Sequence, residues 1–414
     1  MNIKNSPGIV ILPGCFIIYI AINNYYKKEV FMAFYKKRTS SDPGMSKEDK
    51  MNLFMETRKA EIIESLNQLP DDKPIWQSPV FTTKYINPVS GAKYNIENSV
   101  LLLGQMRERA LKNPDEKEKL PFFMTFNQAK NSGLIVPKGT KSFAILKRFG
   151  KKYEVTKLDE ATGQEEIEER FRRAASIDFV FNISDLEGEL SAKLQRNMSM
   201  GFSKATNEEA KVILEALEAT SPVKITRVTD FNSSSGSYYV PSAEFINLPP
   251  SSLFRNVIEE ISTLAHEIAH SWGHSSRLNR ETLNTYSQDN KARAEEELVA
   301  NVASQAVVNH FGLELDDKRQ FESYEKNHDT YDFGWAKLLK DNPDSITTAI
   351  QNADKTAGKM IAEVELWLSN KLKDNPDLAV SEFIKDRINK KQEKEETPEE
   401  NPTPEISTRR KPSI

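Results

Sequence analysis

The most constraining feature of this chain is a pair of histidines four positions apart, inside a segment whose apolar residues follow a helical period. Between Phe254 and His270 the apolar residues recur at intervals of three and four, which predicts a helix over about 254–274. Positions i and i+4 lie on one face of a helix, about 6 Å apart along its axis. The side chains of His266 and His270 can therefore reach one ion.

The residue that follows the first histidine is Glu267, and the resulting His-Glu-x-x-His spacing is typical of zinc metallopeptidases. In such sites the two histidines bind Zn²⁺, and the glutamate orients and deprotonates a water molecule. We predict that His266 and His270 bind zinc and that Glu267 is the catalytic base. On a continuous helix His274 lies about 12 Å beyond His266. Gly273 is therefore expected to end the helix, and His274 to support the site or cap the helix.

A third ligand is expected from a second strongly helical segment at about 290–312. It contains three consecutive glutamates, Glu295 to Glu297, and the last lies nearest the apolar side of the helix. This segment resembles the glutamate-ligand helix of gluzincin peptidases. We predict Glu297 as the third ligand and Glu296 as the alternative, with Asn301 one turn on as the partner of a ligating histidine. In the remaining alternative, all three glutamates lie on a solvated face.

Other residues near the motif are candidates for substrate contacts. The segment 238–249 directly precedes the metal helix and is predicted to be extended. Such a strand can pair with an extended peptide substrate, or it can be an ordinary core strand. Tyr286 and Arg277 are the candidates for stabilising a developing oxyanion.

The composition limits the remaining possibilities. Of the 414 residues, 38% are hydrophobic, which is sufficient for the buried cores of two domains. The net charge of -4 argues against a protein that binds polyanions over its whole surface, so any nucleic-acid surface must be local. Cys15 is the only cysteine, which excludes an internal disulfide framework and a cysteine-based zinc site.

One such local surface is predicted between residues 121 and 150, which include five basic residues and no acidic one. Residues 133–147 alternate as a β-hairpin does, with a turn at 137–139. Aromatic rings beside lysines form a platform for single-stranded nucleic acid. In the alternative, the phenylalanines belong to a core and the lysines are merely solvated. The residues concerned are Phe122, Phe123, Phe126, Lys130, Lys138, Lys141, Lys147 and Arg148.

The order of elements indicates an α+β protein with two domains that divide near residue 190. The charged segment 154–173 is predicted to be a polar loop or an exposed helix. We expect domains at 46–190 and 191–370, and a disordered tail rich in lysine, glutamate and proline at 371–414. Helices are expected at 46–68, 100–112 and 206–219, and strands at 177–188, 223–230 and 237–248.

The first 45 residues are expected to be a leader or a flexible extension. Residues 8–22 form an apolar run too short to span a bilayer comfortably, similar to a signal-peptide core or a lipoprotein leader. The alternative, which we favour, is that translation starts at Met32, because the sequence from there is typical of the beginning of a soluble protein. That alternative predicts a cytoplasmic protein with no stable membrane association.

Several segments together resemble one known family. The stretches GSYYVPSAEFINLP, LAHEIAHSWGHSSRLNR, AEEELVANVAS and YDFGWAKLLKDN follow one another as in the ArdC-like antirestriction proteins of plasmids and other mobile elements. Upstream, KPIWQSP, NPVSGAKYNIENSVLLL and PFFMTFNQAKNSGLIVPKGTKS are similar to the N-terminal domain of that family. The resemblance covers about residues 70–370.

The resemblance implies a protein that coats incoming single-stranded DNA and protects it from restriction, through a mixed α/β N-terminal domain. It also implies a C-terminal zincin-like (gluzincin) metallopeptidase domain that uses Zn²⁺, with a protein as its possible substrate. The family usually has glycine where Ile96 stands and an acidic residue where Asn301 stands. The DNA-binding positions that the resemblance carries over are Trp76, Tyr94, Asn98, Phe126, Gln128, Lys138 and Lys141.

Two alternative functions remain open at this point. In the first, the protein coats single-stranded DNA without catalysis, and its zinc site is structural. In the second, the protein is a regulatory protease that DNA activates to cleave a repressor or a host factor.

Overall fold

A computed structural model describes the protein at residues 46, 49, 51, 54–56, 85–113, 119–158, 165–227, 236–313 and 343–396. These residues form two units, each with helices and a three-stranded sheet. The predicted α+β class with two domains is confirmed. Within the described residues, no helix is long and apolar enough to cross a membrane. The predicted leader, the residues after 396 and most of the predicted helix 46–68 lie outside the described residues.

The N-terminal unit is an antiparallel sheet covered by helices. Its elements, in chain order, are helix α1 (Ile96–Lys112), strand β1 (Phe123–Thr125), helix α2 (Phe126–Asn131), strands β2 (Phe143–Leu158) and β3 (Glu165–Asn182), a 3-10 helix (Ile183–Asp185) and helix α3 (Ala192–Met200). The strand order is β1-β3-β2. Helix α1 begins four residues before the predicted start, because the Asn95 side chain accepts a hydrogen bond from the N–H of Asn98.

Helix α1 covers the edge strand β2 through two buried amides. The Asn98 side chain donates to the Leu146 carbonyl at 3.0 Å and accepts from the Leu146 N–H at 2.8 Å. Gln105, two turns further on, bonds the carbonyl and the N–H of Ala144 at 2.8 Å each. Because each amide satisfies both backbone groups of one strand residue, the helix completes the hydrogen bonding of that edge.

The core of the N-terminal unit is aromatic. Phe123 packs edge-to-face on Tyr85 and Phe143, with ring centroids 5.4 and 5.0 Å apart. Phe122 and Phe123 are 4% and 0% exposed, so two of the three phenylalanines considered for a DNA platform belong to the core. Helix α3 packs on the same unit through Leu194, so this core extends beyond residue 190.

The hairpin predicted over 133–147 is wrong. Ile135 forms an isolated bridge with Glu187, whereas β2 pairs along its whole length with β3. The segment 154–173, predicted as a loop or an exposed helix, lies in these two strands as far as the structure describes it. The prediction failed because charged residues of one sign are grouped along the chain, which hides the two-residue period of a strand.

The C-terminal unit combines a small mixed sheet with a helical bundle. Its elements are helix α4 (Asn207–Thr220), strands β4 (Lys224–Arg227), β5 (Tyr238–Val240) and β6 (Phe245–Leu248), a 3-10 helix (Ser251–Leu253), and helices α5 (Val257–Trp272), α6 (Glu281–Asn284), α7 (Asn290–His310), α8 (Pro343–Asp374) and α9 (Glu382–Glu396). In the order β4-β6-β5, β4 is parallel and β5 antiparallel to β6. Helix α7 packs against both α5 and α8, and the three share one continuous core.

Two predictions for this unit require correction. The strand predicted at 237–248 is two strands, separated by a turn in which Glu244 has a φ of 48°. The disorder predicted from residue 371 is wrong for 371–396, since α8 continues to Asp374 and α9 reaches Glu396. Phe383 and Ile384 are 6% and 1% exposed, so a few apolar residues at helical spacing are enough to dock α9 on the core.

Candidate metal centre

Helix α5 carries the histidine pair into the C-terminal core. The Asn256 side chain caps this helix by accepting hydrogen bonds from the N–H groups of Ile258 and Glu259 at 3.0 and 2.9 Å. The apolar stripe found in the sequence packs inward, and several polar side chains are buried with it, among them the two histidines. His266 and His270 are 4% and 7% exposed.

Helix α7 runs antiparallel to α5 and supplies the acidic residues. The Ser304 hydroxyl of α7 donates to the Ser262 carbonyl of α5 at 2.8 Å. Two turns further along α5 and two turns earlier on α7, Glu296 lies 3.1 Å from His270. Glu296 and Glu297 are 0% and 9% exposed. The alternative in which these glutamates lie on a solvated face is therefore wrong for both.

Three ligand atoms converge between the two helices. Nε2 of His266 and Nε2 of His270 are 3.1 Å apart, and Oε2 of Glu297 lies 3.4 Å from the first and 3.7 Å from the second. Ligand atoms about 2.0–2.1 Å from a tetrahedral metal are about 3.3 Å from one another. The observed separations are close to that value, and two imidazoles with one carboxylate are a donor set for a divalent transition metal. The three residues therefore fit a metal ion.

Glu296, the alternative ligand in the sequence prediction, has a different position. Its carboxylate faces Nδ1 of His270, on the opposite side of the ring from Nε2. It also accepts from the Arg280 guanidinium, with Nε at 2.8 Å, and from the Thr282 hydroxyl at 2.7 Å. A carboxylate on the outer nitrogen of a ligating histidine fixes the orientation of the ring. The partner of His270 is thus Glu296. Asn301, predicted as the partner of a ligating histidine, is buried, and its Oδ1 has no hydrogen-bond partner among the described residues.

Arg280 connects three helices around the site. In addition to Glu296 on α7, its guanidinium donates to the Ala269 carbonyl on α5 at 2.8 Å and to the Thr356 hydroxyl on α8 at 3.0 Å. Helix α5 ends at Gly273, as the sequence predicts. A Cβ at Gly273 would lie 2.6–2.9 Å from the guanidinium atoms. Glycine is therefore required where Arg280 passes the end of the helix.

Tyr286, a candidate for oxyanion stabilisation, contacts the third ligand. Its hydroxyl donates to Oε1 of Glu297, while Oε2 of the same carboxylate faces the histidines. The Tyr286 ring is edge-to-face with His270, at 6.2 Å between centroids. The two carboxylate oxygens of Glu297 thus have separate partners, which aims one oxygen at the histidines.

Arg277 and His274 contact Glu244 and not the three candidate metal ligands. Arg277 donates to Glu244 at 2.5 Å and to the Ser271 carbonyl at 2.7 Å, and its guanidinium reaches the Tyr239 hydroxyl at 3.3 Å. Nδ1 of His274 is 3.3 Å from Glu244. These contacts tie the end of α5 to the turn after β5, so the structure gives both residues a role in holding that turn.

Glu267 lies beside the ligands with 5% of its surface exposed. The backbone N–H of Tyr239, on the edge strand β5, lies near the Glu267 carboxylate. Burial raises the pKa of Glu267, although the charges of His266 and His270 oppose this shift. A carboxylate in this position is suited to accept a proton from water and to return it.

The carboxylates make the environment of the histidines strongly negative. Burial lowers the pKa of His270, but Glu297 and Glu296 outweigh burial and raise that pKa to about 10. Burial raises the pKa of Glu297, but His270 and His266 outweigh it and hold that pKa well below the usual range. The same negative field favours a divalent cation, which displaces a proton when it binds.

Two family models match the chain. Residues 53–181 match the N-terminal domain of anti-restriction factor ArdC, and residues 214–352 match a zincin-like metallopeptidase. The second match includes the three ligand residues and Glu267. The chain is an ArdC-like protein.

The ArdC-like chain is also similar to individual proteins. A DNA primase TraC of Escherichia coli is 28% identical over 323 residues, which cover 75% of this chain and 20% of the primase. The chain thus spans about a fifth of the length of that relative. The metal-free structure of antirestriction ArdC protein from the R388 plasmid is 24% identical, with a TM-score of 0.47, over 76% of this chain and 98% of that one. The Mn(II)-bound structure of the same protein is 23% identical, with a TM-score of 0.47, over 75% of this chain and 98% of that one.

Three residues predicted to bind DNA have contacts inside the N-terminal unit of the ArdC-like chain. The Tyr94 hydroxyl donates to the Phe123 carbonyl at 3.0 Å, and Asn98 bonds the backbone of β2. Gln128 completes the capping box of α2 with Thr125. We therefore reassign Tyr94, Asn98 and Gln128 to holding the fold.

The other predicted DNA-binding residues keep exposed side chains where the structure describes them. Phe126 is 53% exposed, and its ring packs edge-to-face on Phe181 at 6.4 Å. Lys138 and Lys141 are exposed in the segment between α2 and β2. Trp76 lies outside the described residues.

Proposed function

We propose that this protein is an antirestriction protein of a mobile element, in which a single-stranded-DNA-binding domain is joined to a zinc-dependent peptidase domain. The peptidase part rests on the convergence of His266, His270 and Glu297, with Glu267 buried next to them. The match to a zincin-like metallopeptidase over the same residues supports it.

The residues have distinct roles in this proposal. His266, His270 and Glu297 would hold Zn²⁺, which when bound supplies Lewis-acid activation of water and of a peptide carbonyl. The Glu267 carboxylate accepts the proton of the attacking water and passes it to the leaving amine. The nearby Tyr239 N–H favours the ionised form of Glu267, because it lowers the pKa of that carboxyl. The outer edge of β5 can align an extended peptide.

The test of the peptidase proposal is cleavage of labelled casein by the zinc-loaded full chain, with and without oligothymidine. We expect Glu267→Gln to reduce cleavage about 10²- to 10⁴-fold with unchanged metal content, because a general base contributes that much. Glu295→Gln is the matched control, since Glu295 lies two residues from Glu297 and pairs with Lys291 at 3.8 Å. Equal cleavage by Glu267→Gln and the wild type would remove Glu267 from the mechanism. Cleavage only with oligothymidine would identify a DNA-activated protease.

A second candidate function is a DNA-coating protein with a structural metal. The observation that favours it is the low exposure of all three ligands, at 4%, 7% and 9%. Structural zinc sites are closed, whereas catalytic sites keep a position open for water or substrate. This candidate predicts that Glu267→Gln protects transferred DNA from restriction as well as the wild type does. Loss of protection in Glu267→Gln, with DNA affinity unchanged, would eliminate it.

The DNA-binding part rests on exposed cations and an exposed aromatic ring. Phe126 lies in the same segment as Lys130, Lys138 and Lys141, and all four are exposed. The match to the ArdC N-terminal domain supports it. We expect the affinity for oligothymidine to fall linearly with salt on a log–log scale. An affinity that does not change with salt would contradict phosphate contacts.

A further inference from the structure

The β2–β3 hairpin extends well beyond the third strand of its sheet. β1 pairs with β3 at residues 180–182, near the base of the hairpin. From the pair Lys147↔Ser176 outwards, the ladder continues as a two-stranded ribbon to Leu158↔Glu165. Within the described residues, no third strand pairs with this ribbon. An isolated two-stranded ribbon is only marginally stable in water. The residues of this ribbon therefore indicate what else it could contact.

The first half of the ribbon brings two basic segments into register. KRFGKKY at 147–153 pairs with RFRRAAS at 170–176. Together these fourteen residues contain seven cations, three aromatic residues and no acid. Six steps along a strand correspond to about 20 Å. Strand pairing therefore builds a basic and aromatic section that the order of the sequence conceals.

Charges of like sign stand opposite each other at two positions of the ribbon. Lys151 stands opposite Arg172, while beyond the basic section Glu154 stands opposite Glu169. Like charges directly opposite each other destabilise a ladder, and opposite charges stabilise it. Interleaving the lysines with the nearby glutamates would have removed this repulsion. An anionic partner would relieve the repulsion between the cations of the basic section.

One face of the ribbon alternates cations with aromatic residues. Lys147, Phe149, Lys151 and Tyr153 occupy alternate positions of β2, and alternate positions share a face. Lys147 is exposed, and Phe149 is 43% exposed although it is a large apolar residue. Aromatic faces that stack bases, between cations that contact phosphates, are the requirement for binding a single strand without sequence preference. A duplex uses the cations but offers no unstacked base to the rings.

We propose that this ribbon section, residues 147–153 and 170–176, is a contact surface for single-stranded DNA. Only Lys147 and Arg148 of this section belong to the platform predicted at 121–150, and none of its residues belongs to the set that the resemblance carries over. The inference rests on the proposed DNA-binding function and adds the place where the strand runs. Bases stack on Phe149 and Tyr153, and phosphates lie against the cations on either side of them.

The test is fluorescence anisotropy of oligothymidine of about 20 nucleotides, with the full chain, over a series of salt concentrations. In the variant Lys151→Gln/Arg172→Gln, we expect the log–log salt slope to become shallower by about 1.4, since each phosphate contact in a single strand contributes about 0.7. In Phe149→Ala/Tyr153→Ala, we expect binding at least about 30-fold weaker with the slope unchanged, because two stacked bases are lost and stacking does not release counterions.

The matched control is Lys193→Gln/Lys224→Gln, which removes two exposed cations that lie outside the ribbon. It should bind as the wild type does, and all variants should keep the circular dichroism and metal content of the wild type. If the wild type binds with a salt slope and both ribbon variants match it, the ribbon inference is overturned and the DNA-binding proposal stands. If the wild type shows no salt-dependent binding, the DNA-binding proposal itself fails. Equal affinity for a duplex would overturn the stacking role.

Discussion

At the scale of single residues, two adjacent glutamates on one helix have different tasks. Consecutive helical residues point about 100° apart, so Glu296 and Glu297 cannot both face the same ion. Glu297 aims Oε2 at the two ligating nitrogens, whereas Glu296 lies against the outer nitrogen of His270 and the Arg280 guanidinium. We propose that the first binds the metal and that the second holds His270 in position.

This division predicts different effects of Glu297→Gln and Glu296→Gln. Glu297→Gln should abolish measurable metal binding, and it should also destabilise the metal-free chain, because His270 loses the carboxylate that raises its pKa. Glu296→Gln should weaken metal binding about 10- to 100-fold. It should also lower the free energy of unfolding by about 3–5 kcal/mol, because Arg280 loses its buried partner. Competition with a chromophoric chelator and thermal unfolding in a chelator measure the two effects. Unchanged metal affinity in Glu296→Gln would contradict its role.

The second prediction at the residue scale concerns the Tyr286 hydroxyl. It donates to Oε1 of Glu297, so Tyr286→Phe removes the group that directs the other oxygen towards the histidines. We expect about tenfold weaker metal binding in Tyr286→Phe, with the secondary structure unchanged. Tyr239→Phe is the control, because that hydroxyl contacts Arg277 and not a ligand. An equal metal affinity in the wild type and Tyr286→Phe would limit Tyr286 to packing.

At the scale of elements, the sequence predicts the helices of the site closely. Helix α5 was expected at 254–274 and spans Val257–Trp272, and α7 was expected at 290–312 and spans Asn290–His310. Their apolar residues follow a single helical period, and each helix has a polar residue at its N-terminus. A long amphipathic helix carries this information locally. The choice of Glu297 depended on the same period.

The parts that the sequence did not predict depend on long-range pairing. The ribbon of β2 and β3 is specified by which residues stand opposite each other, and this is not a local property. Arg280 ends the stretch LAHEIAHSWGHSSRLNR, on which part of the family resemblance rests, and this was the available signal. Its role was not predicted, because that role depends on helices α5, α7 and α8 meeting at one point.

At the scale of elements, the close contact between Gly273 at the end of α5 and Arg280 leads to a prediction for stability and metal binding. In Gly273→Ala the new Cβ would force the Arg280 guanidinium away from Ala269, Glu296 and Thr356. We expect the free energy of unfolding to fall by about 2–4 kcal/mol, together with weaker metal binding. Denaturant unfolding measures the first and chelator competition the second. Gly236→Ala is the control, since a Cβ there meets no atom within 4 Å. A wild-type stability in Gly273→Ala would show that Arg280 moves freely.

At the scale of the whole molecule, the two units share helix caps. The Asp354 carboxylate on α8 accepts hydrogen bonds from the N–H groups of Ile96 and Glu97 at the start of α1, at 3.1 Å each. Lys93 contacts the Asn309 carbonyl at the end of α7. A carboxylate at a helix N-terminus and a cation at a C-terminus are both favourable. The helix that supplies Glu297 is thus tied to the N-terminal unit.

Acid sensitivity is expected from a buried histidine near this junction. Burial lowers the pKa of His310 to about 4, against the effect of Glu365, to which it donates a hydrogen bond at 2.8 Å. Arg387, Lys391 and Lys93 are the cations around this pair. The unfolded chain binds a proton below a pKa of about 6.5 that the folded chain does not bind. The stability is therefore complete above that pH and falls as the pH decreases towards 4.

The variant His310→Gln tests this expectation. It should reduce the loss of unfolding free energy between pH 6.5 and pH 5 by about 2 kcal/mol, since each pH unit corresponds to about 1.4 kcal/mol. Denaturant unfolding at the two pH values provides the comparison. His274→Gln is the control, because the His274 side chain lies at the surface near Glu244. Identical acid sensitivity in the wild type and His310→Gln would contradict a neutral, buried His310.

The most direct test of the central claim is the metal content of the purified full chain after zinc loading and gel filtration. If His266, His270 and Glu297 bind a single ion together, the wild type and Glu267→Gln each retain one zinc per chain. His270→Ala and Glu297→Ala then retain none. Zinc that stays bound in Glu297→Ala, or a wild type that retains no metal, would contradict the proposed centre.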